Sequence, residues 1–188
     1  MITRILFAAI IALSVLPCFT CQGATPDTLH FTFKLHRQTR RAEMTFHEQG
    51  DSLVVNWQMP RYGKLLGGSY AMGKQSAING NKLCLNQPEP GSRIELAKNE
   101  TAFMISAAAY EAMKQTGVLE YNGTRYIVTD SLPCGDSTPS IHVTDPASGS
   151  EMWIIDSPHW SVVWKVQNSP LEIGWEIENA ASAFNGCL

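Results

Sequence analysis

Apolar and polar residues alternate with a period of two along most of this chain, and that alternation restricts the fold more than any other feature. It is clearest at 29–35 and 171–177, where apolar residues stand at every second position. Such a pattern is typical of strands that bury one face. With the runs at 44–46, 53–59, 118–121, 125–129, 141–144, 151–155 and 162–166, the sequence predicts about eight or nine strands.

Turn residues separate these runs in ways that favour hairpins. Asn122-Gly123, between two short runs, is the strongest hairpin signal in the chain. The polar segment 38–42 predicts a connection, and the Pro- and Gly-containing segment 131–140 predicts a loop. The Gly-rich segment 61–81 predicts irregular structure with a short helix at 74–78.

One segment has the pattern of a well-capped helix. Ser106 suits the N-cap, 107–115 is rich in alanine, and Gly117 suits the position after the last turn. Tyr110 and Met113, three residues apart, would share its buried side. Two alternatives stay open. One is a longer helix that starts at residue 101, and the other is a short strand at 102–105 before the helix.

These elements predict an α+β fold. A doubly wound parallel sheet would need alternating strands and helices, which the chain lacks. We expect a mainly antiparallel, strongly curved sheet, shaped like a half-barrel, packed against one principal helix that covers its apolar face.

The first 24 residues have the layout of a secretory signal peptide. Arg4 gives a charged start, 5–16 is an apolar run, and Pro17 ends it. The run is shorter than the roughly 20 residues that a membrane-spanning helix needs. We predict cleavage near Ala24, which leaves 25–188 as a single exported domain.

Two alternatives to a cleaved leader stay open. A bacterial lipid anchor would need a cysteine soon after the apolar run, and Cys21 is better placed for it than Cys18, although neither follows the usual glycine or alanine. The apolar run could instead be a buried core helix or a short anchor.

Composition excludes several classes of protein. The chain has 188 residues, of which 44% are hydrophobic and 16% charged, so it can fill a core and does not resemble a disordered chain. A net charge of −3 gives no electrostatic reason to expect a nucleic-acid partner. A mean hydropathy of −0.10 is too low for a polytopic membrane protein.

Three cysteines follow the leader. An oxidising compartment would favour a disulfide, and we predict the bond between Cys84 and Cys134 because Cys187 lies in the C-terminal tail. Three thiols allow three single bonds, and all three could also be free. Their spacing does not suit zinc, and we predict no metal site.

Two short segments resemble phosphate sites without completing them. The run 68–75 approaches a P-loop, but Gln75 stands where the magnesium-binding hydroxyl should be, so we predict no nucleotide or other cofactor. The basic residues Arg37, Arg40 and Arg41 are interpreted as a hairpin tip or loop rather than a phosphate site.

Two serine- or histidine-containing segments are candidate catalytic sites. Ser69 stands in a sequence close to a nucleophile elbow, with Ala71 in place of the final glycine. Its base and acid would be His142 or His159 with Asp130, Asp136 or Asp145. Separately, Asp156 and His159 share a tight turn in which the carboxylate could orient the imidazole as a base.

Four of the five tryptophans lie between residues 153 and 175. Trp164 and Trp175 stand in register with apolar neighbours, so they suit a core or the wall of an apolar pocket, together with Tyr110 and Met113 of the helix. Trp160, in a turn after a proline, is the best candidate for an exposed ligand contact.

The segments 151–156 and 170–177 carry a "W-x-x-D" and a "P-L-x-I-x-W" motif. They resemble the C-terminal hairpin of uncharacterised secreted bacterial proteins, which implies bacterial export and no particular activity. The expected topology also resembles that of periplasmic lipoprotein carriers, which curve an antiparallel sheet around helices to hold acyl chains; no residue motif supports this second likeness.

The sequence therefore predicts an exported, non-enzymatic module of the cell envelope or the medium that binds an apolar, sugar or protein ligand. One alternative is a small exported hydrolase that uses Asp156 and His159, or Ser69. The other is a carrier that holds an apolar ligand in a tryptophan-lined cup.

Overall fold

A computed structural model of the chain describes residues 26–86, 89–131, 133–134 and 138–184. Strands make up 54% of these residues and helices 13%. The predicted leader, Cys21 and Cys187 lie outside the described residues. The expectation of a mainly antiparallel, strand-rich fold is confirmed.

The first four strands form a continuous antiparallel meander. Their bounds are Leu29–Leu35 (β1), Gln38–Gln49 (β2), Ser52–Arg61 (β3) and Lys64–Gly73 (β4). The prediction of a connection at 38–42 is wrong, because a two-residue turn at His36 and Arg37, both with positive φ, lets β2 begin at once. Tyr62 and Gly63 make the same kind of turn before β4, where irregular structure was expected.

The middle of the chain, residues 74–116, crosses one face of this meander and is called the crossing segment below. Its elements are Lys74–Asn79 (α1), Lys82–Leu83 (β5), Arg93–Glu95 (β6), Glu100–Thr101 (β7) and Ala107–Thr116 (α2). The helix predictions are confirmed: the Ser106 side chain accepts a hydrogen bond from the Ala109 N–H, and Gly117 is left-handed. β6 pairs with β4 in parallel, and β5 and β7 form a separate pair.

The last part of the chain is a second antiparallel meander. Its elements are Val118–Tyr121 (β8), Thr124–Asp130 (β9), Pro133–Cys134 (β10), Thr138–Thr144 (β11), Glu151–Ile155 (β12), Val163–Gln167 (β13), Ile173–Ile177 (β14) and Ala180–Ala183 (α3). The Asn122-Gly123 hairpin is confirmed. Part of the expected loop at 131–140 is instead β10, which pairs with β11.

The two meanders join in the middle of one sheet. Its strand order is β6-β4-β3-β2-β1-β14-β13-β12-β11-β9-β8, so the first and last strands are neighbours, with Phe33 opposite Trp175. The path is open, because β6 and β8 at its two ends do not pair with each other.

The two faces of the sheet differ in chemistry. On the inner face, alternate side chains such as Phe31, Met44 and Trp57 are buried beneath the crossing segment. On the outer face, the intervening positions are polar, as at Thr32, Thr45 and Asn56. Residues 102–105 lie against the inner face, held to the second meander by a hydrogen bond from the Val163 N–H to the Phe103 carbonyl (2.8 Å). The alternation in sequence therefore separates an apolar interior from a polar surface.

Candidate functional site: an apolar cavity on the inner face

An apolar cavity of about 70 Å³ lies between the inner face of the sheet and the crossing segment. Strands β14, β1, β2, β3 and β4 supply most of its wall, because their inward positions carry large apolar side chains. The remainder comes from the chain after β5 and from the stretch before α2. The lining residues are Phe33, Leu35, Arg40, Ala42, Met44, Trp57, Met59, Tyr70, Cys84, Leu85, Phe103, Ile173 and Trp175.

Phe103 is the centre of an aromatic cluster in this wall. Its ring centroid lies 5.1 Å from that of Phe31, 5.6 Å from Tyr70 and 5.8 Å from Trp175, each in an edge-on arrangement. Edge-on pairs are the favoured geometry for aromatic rings. Phe103 has a φ of 57°, a left-handed conformation that a bulky residue rarely adopts. The packing around the cavity therefore holds this ring against a backbone preference.

The polar atoms of two side chains in the cavity wall form hydrogen bonds within the protein. Trp175 Nε1 donates to the Val163 carbonyl (2.8 Å), and the Tyr70 hydroxyl donates to the Asn86 carbonyl (3.0 Å). Burial raises the pKa of the Tyr70 phenol well above its ordinary value. Trp57 Nε1, by contrast, is buried without a hydrogen-bond partner. The aromatic wall thus offers a ligand mainly apolar surface.

Arg40 is the basic side chain of the wall. It stands opposite Phe33 in the β1–β2 ladder and two residues before Ala42, so it shares the inner face. The side chain is half-buried, and its Nη2 donates to Gln38 Oε1 (3.1 Å). Among the described residues no carboxylate forms an ion pair with it.

Of the predicted ligand-binding residues, Trp175 lies in the cavity wall, whereas Tyr110 and Met113 do not. Both helix residues are buried as expected. The Tyr110 hydroxyl, however, donates to Asp156 Oδ1 (2.6 Å), which ties α2 to the end of β12. Tyr110 and Met113 therefore help to attach the helix to the sheet.

Two other tryptophans are placed differently from the prediction. Trp160 is 8% exposed and packs edge-on against Phe46 at 6.0 Å, so the expectation of an exposed contact is wrong. Trp164 is half-buried away from the cavity, with its ring 6.5 Å from Trp153 and with Lys165 Nζ 5.8 Å from its centroid. A bulge in the pairing of β12 with β13 changes the alternation beside Trp164.

Cys84 and Cys134 are free, buried thiols, so the predicted disulfide between them is not formed in this structure. Cys84 follows β5, with its sulfur 4.0 Å from the Asn86 carbonyl, whereas Cys134 lies in β10 beside Ala181. Burial raises the pKa of both thiols, that of Cys134 to about 11. Neither is therefore an activated nucleophile near neutral pH.

Ser69 lies inside β4 rather than in a strand-to-helix turn, so the chain forms no nucleophile elbow there. It stands opposite Asn56 and lines a separate polar groove of about 480 Å³. Six strands separate β4 from β11, which carries His142. Asp145 caps its own turn by accepting from the Ala147 N–H (2.9 Å), and Asp136 lies outside the described residues.

The structure gives Asp156 partners other than His159. Lys114 Nζ lies 2.9 Å from Asp156 Oδ1 and 3.0 Å from Oδ2, and Tyr110 occupies Oδ1 as well. In the described part of the chain, no hydrogen bond joins this carboxylate to His159, whose side chain is exposed. Asp156 thus serves to hold α2 in place.

Comparison with protein-family models, with curated proteins and with solved structures finds no match to this chain. Among the described residues, no helix is both long enough and apolar enough to span a membrane. The same residues contain no group of three or more His, Cys, Asp or Glu side chains placed to hold a metal ion. The site is therefore interpreted from its own geometry.

Sequence reasoning missed most of the cavity wall. Arg40 could have been placed there, because counting back by two from Met44 and Ala42 reaches it on the apolar side of β2. No local signal marks Phe103, since its position depends on contacts with strands that are distant in sequence.

Proposed function

We propose that this protein is an exported, non-enzymatic binding protein that holds an apolar ligand in the inner-face cavity. The observation that carries the proposal is the wall itself, in which Phe33, Trp57, Phe103 and Trp175 surround a space on the inner face. Small-molecule sites are concave and mainly apolar, with few polar groups. Burial of apolar ligand surface contributes roughly 25 cal/mol per Å² removed from water.

The satisfied polar atoms of the wall favour an apolar ligand over a sugar. A sugar needs several hydrogen bonds in its binding site, because a buried polar group without a partner is costly. Trp175 Nε1 and the Tyr70 hydroxyl are already engaged within the protein. Among the aromatic side chains of the wall, Trp57 Nε1 is the donor without a partner.

The proposal includes a concave, half-barrel shape for the sheet on this side. Tyr70 on β4 and Trp175 on β14 are four strand positions apart, which is roughly 19 Å across a flat sheet at about 4.8 Å per strand. The rings of both residues nevertheless pack on Phe103, at 5.6 and 5.8 Å between centroids. Curvature of the sheet would bring them within reach of one ring and would form a cup.

Export is proposed from the leader. The charged start at Arg4, the apolar run at 5–16 and the small residues before Thr25 support removal by a signal peptidase. A periplasmic, cell-surface or secreted location follows from that proposal.

A cavity-filling substitution tests ligand binding. Ala42 is a small buried residue of the wall, so Ala42→Phe should fill the space and lower the affinity for N-phenyl-1-naphthylamine, a neutral fluorescent probe, about tenfold or more. Thr45→Phe, on the exposed face of the same strand, is the matched control and should bind as the unchanged protein does.

Titration of probe fluorescence on the exported protein measures both affinities. Failure of the unchanged protein to bind the probe would overturn the proposal, as would equal affinities for the Ala42→Phe and Thr45→Phe variants. The free energy of unfolding of each variant, from a urea titration, establishes that the folded protein is being compared.

A further inference from the structure

Arg40 is an unusual basic residue because of the face on which it lies. Of the lysines and arginines in the described part of the chain, Arg40 and Lys165 are half-buried and the others are exposed. Lys165 Nζ has the Glu176 carboxylate at 3.7 Å and lies over the Trp153 ring at 5.0 Å. Arg40 lines an apolar cavity, and its polar partner is the side-chain amide of Gln38.

A guanidinium group in that setting lacks its usual counter-charge. It stays protonated in proteins and offers five donors in a planar fork that matches a carboxylate or a phosphate. The loss of water around a half-buried cation is offset best by a paired anion. No carboxylate among the described residues supplies one for Arg40, whereas its neighbour Arg41, on the opposite face, lies 3.6 Å from Glu178.

The cavity continues from Arg40 into mainly apolar surroundings. Phe33 is its direct cross-strand neighbour, and Ala42, Phe103 and Trp175 line the space beyond. A ligand with an anionic group at Arg40 would therefore place its remaining atoms against aromatic and aliphatic side chains. That arrangement suits a molecule with a charged head and an aliphatic tail.

We infer that the ligand is an anionic amphiphile whose carboxylate or phosphate head pairs with the Arg40 guanidinium while the first few carbons of its aliphatic chain enter the cavity of about 70 Å³. This inference rests on the proposed function, because it names the class of ligand for the same site. It adds that the site distinguishes ligands by the charge of the head.

Displacement of N-phenyl-1-naphthylamine by ligands of equal chain length tests the inference. Decanoate and decyl phosphate carry the anionic heads, decanol is the neutral analogue, and decyltrimethylammonium is the cationic one. Decanoate or decyl phosphate should displace the probe at a concentration about tenfold lower than decanol does, since a charge-assisted hydrogen bond is about twice as strong as a neutral one. The comparison of the two anions shows which head the site prefers.

Variants at adjacent positions assign the effect to one side chain. Arg40→Met keeps an unbranched apolar stem and removes the charge, so it should abolish the advantage of the anions over decanol. Arg40→Lys should restore part of that advantage. Arg41→Met, which removes the neighbouring charge on the outer face, should leave all four ligands as they are in the unchanged protein.

The outcomes separate the inference from the proposed function. Displacement by decanol and by the anions at equal concentrations would overturn the inference and leave apolar binding intact. An advantage of the anions that survives Arg40→Met would also overturn it. If neither the probe nor any decyl compound binds the unchanged protein, the proposed function itself fails.

Discussion

Individual side chains around the cavity are held more firmly than their local sequence would require. Phe103 keeps a left-handed backbone, a conformation that costs a residue of this kind on the order of 1–3 kcal/mol, because its ring packs against Phe31, Phe33, Tyr70 and Trp175. Strain of this kind persists where the surroundings over-determine a residue. Here it places an aromatic ring in the cavity wall.

Buried phenols make the stability of the fold sensitive to alkaline pH. Burial raises the pKa of Tyr121 from 10.0 to about 12, although a hydrogen bond with Thr101 lowers it somewhat. Because the folded protein holds this proton more tightly than the unfolded chain, the contribution to stability is complete below about pH 10 and is lost as the pH rises through about 12. We expect a fall of roughly 2 kcal/mol from this residue by about pH 12.

Urea unfolding at about pH 9 and about pH 12 measures that fall. Tyr121→Phe should reduce it, whereas Tyr62→Phe, at a residue that is 91% exposed, should not. An unfolding free energy that stays constant over this range would contradict the burial described for Tyr121.

At the scale of secondary-structure elements, turn and cap residues predicted hairpins and helix ends well, whereas a strand pattern interrupted by glycine was missed. The Asn122-Gly123 hairpin and the capped helix α2 form as predicted, because turn and cap residues act over a few neighbours. β4 was missed because Gly67 and Gly68 weaken a strand pattern. Both positions need glycine because a Cβ atom at either one would lie too close to atoms of Trp57 in β3.

Gly68 tests that explanation directly. A Cβ atom at this position would lie 2.9 Å from Trp57 Nε1 and 2.9 Å from the Ser92 carbonyl oxygen, closer than packing allows. We expect Gly68→Ala to lower the free energy of unfolding by about 1–3 kcal/mol. Gly73→Ala, where no atom lies within 4 Å, is the control and should change it by less than about 0.5 kcal/mol. Equal stabilities of the two variants would contradict the packing described here.

At the scale of the whole molecule, the alternation of apolar and polar residues predicted the class of fold but not the location of the cavity. Alternation predicts an antiparallel sheet with one apolar face, and the structure has that sheet. The cavity depends on how the crossing segment lies on the inner face and on the pairing of β1 with β14, which joins residues about 140 positions apart. Contacts over that distance leave no local trace in the sequence, so the prediction placed Trp175 in the wall without Phe103 or Trp57.

The proposed export is tested on the whole chain. Intact-mass measurement of the protein recovered from the periplasm or medium should give the mass of residues 25–188, within a few positions of that start. A mass that retains residues 1–24 would contradict cleavage. A chain that begins at Cys21 and carries an added lipid would contradict cleavage near Ala24 and would support the lipid anchor instead.

The central claim is that an apolar chain occupies the space beside Phe103 and Trp175. Crystals of the protein grown with 4-bromobutanoate would locate the chain directly, through the anomalous scattering of its bromine. We predict a bromine peak in the cavity, beside Phe103 and Trp175, with the carboxylate at Arg40. A bromine peak in the polar groove beside Ser69, or a cavity left without ligand in crystals that hold it elsewhere, would contradict the account.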